Sequence, residues 1–220
     1  MSKHLDREID RLKRQVLALS AIVEDSVSRA VAAVQERDTE LAAAVVQDDG
    51  RIDQAEIEVE EECLKILALH QPVALDLRFI VAVLKLNNDL ERIGDLAADI
   101  AQQVPMLCER DPPTLPIDVL PIARGAQSML SSVLDALVHA DADAARQVLS
   151  ADDRVDELHR EIYARVKAQV RKSPEHAEVL IHLLSVSRYL ERIADLTTNI
   201  AEDIIYLTDG EIVRHRHGGK

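Results

Sequence analysis

The sequence predicts an all-α protein: two tandem antiparallel three-helix bundles, six long helices in all, related by pseudo-two-fold symmetry. Three observations carry this. Apolar residues recur in steps of three and four over long stretches. Hydrophobic residues make up 47% of the chain but aromatic residues only 2%, so the core is built from Leu, Ile, Val and Ala. Finally, one stretch occurs twice. Residues 89–101 are DLERIGDLAADIA and residues 189–201 are YLERIADLTTNIA, with eight of the thirteen positions identical at an offset of 100. An internal duplication accounts for that match.

The first helix is marked by Leu5, Ile9, Leu12, Val16, Leu19, Val23, Val27, Ala30 and Val34, all on one face. Asp38 is the expected N-cap of the second helix. That helix runs to about residue 70 through Leu41, Val45, Ile52, Val59, Cys63 and Ile66. Gly50 in its middle costs roughly 1 kcal/mol relative to Ala, and a small residue beside Asp49 would leave room for a ligand. Gln71-Pro72 breaks the chain, and a third helix is expected over residues 73–108. Phe79, Ile80, Val81, Val83 and Leu84 surround its axis, so that end is expected to be buried all round. The proline-rich residues 109–116 form a linker between a first repeat, 1–108, and a second, 117–220. The second repeat is expected as helices over 117–139, 141–172 and 175–207, with a break at Ser173-Pro174 and a frayed tail ending HRHGGK.

The formal net charge of −14 argues against nucleic acid as a partner and against an unaided anionic bilayer. No apolar run reaches the ~20 residues of a membrane span and no signal peptide opens the chain, so a soluble, cytoplasmic protein is expected. Cys63 and Cys108 form no motif and are expected as buried free thiols.

The repeat carries acids in pairs. Glu91 and Asp95 recur as Glu191 and Asp195, each pair stacked on one helix face. A second matching stretch, at an offset of 103, ends in Asp49 with Asp53 and in Asp152 with Asp156. With Glu91 at 0° on a helical wheel, Asp95 lies at about 40° and Asp99 at about 80°, away from the apolar stripe and on the outside of the bundle. Antiparallel neighbours would bring both acid pairs of a repeat to one edge. Such faces are ordinarily solvated, but the duplication favours cation binding. The donors would be hard oxygens, suiting Mg²⁺, Mn²⁺, Ca²⁺ or iron over a cysteine-type zinc site. His159 stands where the first repeat has Glu56 and is a further candidate, while His182 is expected to be packed or at the surface. No Gly-rich phosphate loop or Ser-His-Asp arrangement is visible. A metal-binding adaptor is the leading reading. A carboxylate metallohydrolase and a purely structural helical protein are the alternatives.

PVALDLR at residues 72–78, followed by DLERIGD at 89–95, resembles the PhoU family of phosphate-signalling regulators. The resemblance implies tandem three-helix bundles with a Glu/Asp-x-x-x-Asp motif in each. It also implies iron or zinc clusters held by Asp49, Asp53, Glu91 and Asp95 in one repeat and by Asp152, Asp156, Glu191 and Asp195 in the other. Asp99 is a less secure ligand, because its counterpart is Asn199. Function by resemblance is negative regulation of phosphate uptake and of the phosphate-starvation response. The implied partners are a phosphate ABC transporter ATPase, a sensor histidine kinase and a second copy of the chain. The second repeat departs from the pattern at residues 171–178, where the PxAxDLR segment is not retained.

Overall fold

A computed structural model describes residues 3–108 and 117–210. The expected linker at 109–116 and the tail from 211 onward lie outside the described residues. Six long helices follow one another: α1 Lys3–Glu36, α2 Thr39–His70, α3 Ala74–Cys108, α4 Leu120–His139, α5 Ala142–Lys172 and α6 Ala177–Asp209. One 3₁₀ turn, Pro174–His176, precedes α6, and there is no strand among the described residues.

The helices begin where local chemistry starts them. Asp38 Oδ1 accepts the N–H groups of Glu40 and Leu41, both at 2.9 Å. At the matching place in the second half, Asp141 Oδ1 accepts those of Asp143 and Ala144, both at 3.0 Å. Each cap satisfies donors that the first helical turn leaves unpaired. Three starts differ from the sequence expectation. α3 opens at Ala74 because Gln71 takes the left-handed conformation (φ 45°) and Pro72 follows it. α4 opens at Leu120, whose N–H is accepted by Asp118 Oδ1 at 2.9 Å, and Pro121 occupies the first turn. Before α6, Pro174 first winds a 3₁₀ turn.

In the first bundle α1 packs on α2 and α3; in the second α4 packs on α5 and α6. Leu5, Ile9, Leu12, Val16, Leu19, Val23, Val27 and Ala30 are all buried, as their spacing predicts, and Val34 is half-buried. Each large side chain so buried contributes on the order of 2 kcal/mol. The N-terminal end of α3 is not buried all round. Ile80 and Val83 are buried and Phe79 and Leu84 half-buried, but Leu77 and Val81, four residues apart, are exposed. Among the described residues, the face those two share is left open to solvent. Leu69, Val73 and Leu75 beside the α2–α3 turn are exposed as well.

The two bundles form one body, because α3 and α6 pack against each other across the middle. This seam is antiparallel. Lys85 Nζ on α3 reaches Asp203 on α6 at 3.7 Å, and the Gln103 side-chain carbonyl meets His182 Nδ1 at 2.9 Å. Halfway between these contacts lie Gly94 on α3 and the adjoining Arg192 and Ile193 on α6. The local two-fold therefore runs through the middle of the repeated stretch.

Candidate metal centres

Each repeat gathers three aspartates. Asp49, Asp53 and Asp95 offer carboxylate oxygens within 4.8 Å of one another, and so do Asp152, Asp156 and Asp195. Two come from α2 or α5 one helical turn apart, and the third from the antiparallel α3 or α6. The arrangement is more recessed than an outward face. Asp53 and Asp95 are exposed, but Asp49 is half-buried at the α2–α3 boundary and its Oδ1 is buried without a hydrogen-bond partner. Asp152 Oδ1 is in the same condition in the second repeat. A buried carboxylate oxygen left without a donor is costly unless a cation or proton meets it.

Neighbouring residues direct the acids. Asp48 turns the other way and takes Arg29 of α1 at 2.7 Å, which keeps that guanidinium off the trio. Gly50 is exposed, and a Cβ built on it would meet nothing within 4 Å. No close approach requires glycine there, and Asp153 stands at the matching position.

The carboxyls resist ionisation. Burial first, then the charges of Asp95, Asp53 and Asp99, hold Asp49 above the ordinary aspartate range. Burial and Asp53 do the same to Asp95. Asp152 is pushed up to about 6 by burial and then by Asp195 and Asp156. Glu91 and Glu191 fall outside the 4.8 Å trios. They still feel them: both are raised, by burial first and then by Asp95 or Asp195. Asp99 is also outside the trio but close enough to raise Asp49 and Asp95. An all-oxygen, mutually repelling donor set with one orphaned oxygen fits a hard cation.

Two residues beneath the trios escaped the sequence reading. Asn87 Nδ2 donates to Glu56 Oε1 at 2.8 Å and to the Glu56 carbonyl at 3.0 Å. In the second half Ser187 Oγ meets His159 Nδ1 at 2.9 Å. His159 is thus tied to α6 rather than joining the trio, and burial pulls its pKa down. Asn87 and Ser187 are again 100 positions apart, each four residues before the glutamate of the repeat. A buried polar position on an otherwise apolar face was the available signal.

The two cysteines are free and differ in surroundings. Cys63 is fully buried, and burial, with Glu62 and Glu60 nearby, pushes its thiol up to about 12. Cys108, expected to be buried, is only half-buried, and its thiol points at the Arg37 carbonyl, 3.3 Å away. It lies in the last turn of α3, where fewer helices surround it.

Fold and site together define a tandem-repeat helical protein with one carboxylate trio per repeat. The PhoU domain model matches twice, over residues 16–104 and 119–204. The chain belongs to the PhoU family. It is 35% identical over 214 residues to a phosphate-specific transport system accessory protein PhoU homolog of Aquifex aeolicus, covering 97% of this chain and 96% of the relative. It is 36% identical over 216 residues to the homolog so named in Pseudomonas aeruginosa, covering 98% and 89%. The crystal structure of PhoU from Pseudomonas aeruginosa superposes with a TM-score of 0.90 at 36% identity, over 94% of this chain and 99% of that one. A second crystal structure, of the phosphate transport system regulatory protein PhoU from Streptococcus pneumoniae, gives 0.84 at 31% identity, over 95% and 99%. No described helix is long and apolar enough to cross a membrane.

Proposed function

We propose that this chain is a cation-binding, non-catalytic accessory regulator of phosphate transport. In this role it restrains uptake and the phosphate-starvation response when phosphate is plentiful. The observation that carries the reading is the pair of equivalent aspartate trios, each with a buried oxygen awaiting a partner. They occur in a chain whose relatives are named accessory proteins of the phosphate-specific transport system.

Asp49, Asp53 and Asp95 would hold a cation in one repeat and Asp152, Asp156 and Asp195 in the other, with Glu91, Glu191 and Asp99 at the margins. The donor set suits Mg²⁺, Mn²⁺, Ca²⁺, iron or zinc bound through oxygen. A bound cation supplies positive charge that cancels the repulsion among the acids. The residues do the rest: α2 and α3, or α5 and α6, are tied together, and an acidic face becomes a presentable surface. That surface serves docking on the transporter's cytoplasmic ATPase, on a membrane sensor kinase and on a second copy of the chain.

Metal analysis of purified protein, before and after chelation, tests the binding. Asp49→Asn with Asp95→Asn should remove metal from the first trio and leave the second loaded. The regulatory role is tested in cells at high phosphate. Deletion should leave phosphate-scavenging genes on or uptake unchecked, and a wild-type copy should reverse it. A deletion strain that shuts off both responses normally defeats the regulatory reading.

A further inference from the structure

A recess of about 350 Å³ opens beside the second trio, lined by Arg92, Arg192, Asp195, Leu196, Thr198 and Asn199. Its position follows from the seam. The local two-fold runs through the middle of the repeated stretch, so the equivalent arginines of the two LERI segments converge on it from opposite helices. In a chain of net charge −14, two exposed guanidiniums sharing one recess are a marked exception to the surrounding charge. Arg92 leaves half its side chain open to water, and the Asp89 carboxylate stands 3.9 Å away, too far to saturate its N–H groups. Thr198 commits its hydroxyl proton to the Asp195 carbonyl at 2.7 Å, so it can only accept, and would do so from a protonated oxygen of a bound anion. Asn199 adds a side-chain amide at the rim.

We propose that Arg92 and Arg192 bind a tetrahedral oxyanion of the phosphate class, free phosphate or a phosphomonoester, one guanidinium from each repeat. A guanidinium fork matches two oxygens of such an anion. Two such forks lining one recess, one from α3 and one from α6, offer enough donors for all four oxygens of the anion. The opposing charge is Asp195, which lines the recess and also belongs to the second trio. A cation on Asp152, Asp156 and Asp195 takes that charge out of the recess. Oxyanion and cation therefore bind with positive coupling, each raising the affinity for the other. This cation dependence rests on the reading of the trios given above.

Calorimetric titration of the full-length chain with inorganic phosphate and with a phosphoserine peptide, metal-free and loaded with Mn²⁺, tests it. Phosphate should bind the loaded protein saturably and about tenfold more tightly than the metal-free one. The phosphoserine arm tells which source of the anion is preferred. Arg92→Gln with Arg192→Gln should weaken binding at least about tenfold while bound manganese and helical content stay unchanged. Arg124→Gln with Arg171→Gln changes the net charge equally and should shift binding by no more than about twofold. Absence of saturable binding, or equal loss in both double variants, overturns the assignment. If wild-type protein takes up no manganese, the reading of the trios fails instead. The arginine site is then judged on the metal-free titration by the same two criteria.

Discussion

Gly94 lies so close to Ile52 that a Cβ built on the glycine would stand 2.8 Å from Ile52 Cδ1 and 3.0 Å from Cγ2. This is the point where α2 and α3 come together between the acids of the first trio. At the equivalent positions the second repeat has Ala194 and Val155, one methyl gained and one lost. The two repeats fill the same junction with complementary volumes.

Gly94→Ala should therefore destabilise by about 1 kcal/mol, overpacking outweighing the better helix propensity. Ile52→Val alone should cost about 1 kcal/mol through lost burial. The double variant, copying the second repeat, should sit near wild type, giving a coupling of at least about 1 kcal/mol in denaturant melts. Strictly additive effects would mean the two side chains do not share this space.

A second expectation concerns pH. Asp152 has its folded pKa raised to about 6 from 3.8. Its contribution to stability is therefore present below about 4 and lost as pH rises through 6. Metal-free Asp152→Asn should be more stable than wild type at pH 7.5, by about 1 kcal/mol once the shift is discounted for partial exposure to water. The advantage should vanish at pH 4. Because the same proton competes with a cation, bound Mn²⁺ should leave the second trio as pH falls through 6. Thermal melts across this range, with and without manganese, measure both.

The cysteines should behave oppositely. With Cys63 fully buried and its thiol raised to about 12, a thiol reagent at pH 8 should modify only Cys108 in native protein. Unfolding should expose the second. Two fast thiols in the native state would show that α2 opens readily at Cys63.

Removing a cap gives a local test of the duplication. Asp38→Ala and Asp141→Ala should each cost about 1 kcal/mol, since each deletes an acceptor for two helix-start N–H groups. Asparagine at either position should recover most of the loss. Markedly unequal costs would show that the repeats no longer start their helices in the same way.

Where the sequence was legible, it was so for local reasons. Steps of three and four from Leu5 to Ala30 needed only a helix and a core, and Asp38 needed only its own next turn. The acids could be paired along a helix for the same reason. That antiparallel neighbours bring the pairs to one edge was legible too. Which three acids close to within 4.8 Å, and the burial of one oxygen of Asp49, depended on how closely two helices approach. That distance is set by Gly94 and Ile52, which no periodicity ranks. Val81 is exposed although Phe79, Ile80, Val83 and Leu84 around it imply all-round packing, because burial depends on whether a helix lies above. His159 was drawn to the acids by sequence, yet Ser187 holds it from a helix 28 residues further on.

The antiparallel seam between α3 and α6 also bears on the order of folding. Residues that meet there, such as Lys85 and Asp203, are separated by more than half the chain, so their contact closes a very large loop. Each three-helix unit can collapse by itself through short connections, but its third helix then keeps one side bare until the other unit arrives. The expected late event is accordingly the docking of the two halves, a stage at which those bare sides would be open to the wrong partner. At high concentration α3 of one molecule can capture α6 of another and yield an exchanged dimer. Slow refolding at low concentration avoids that product.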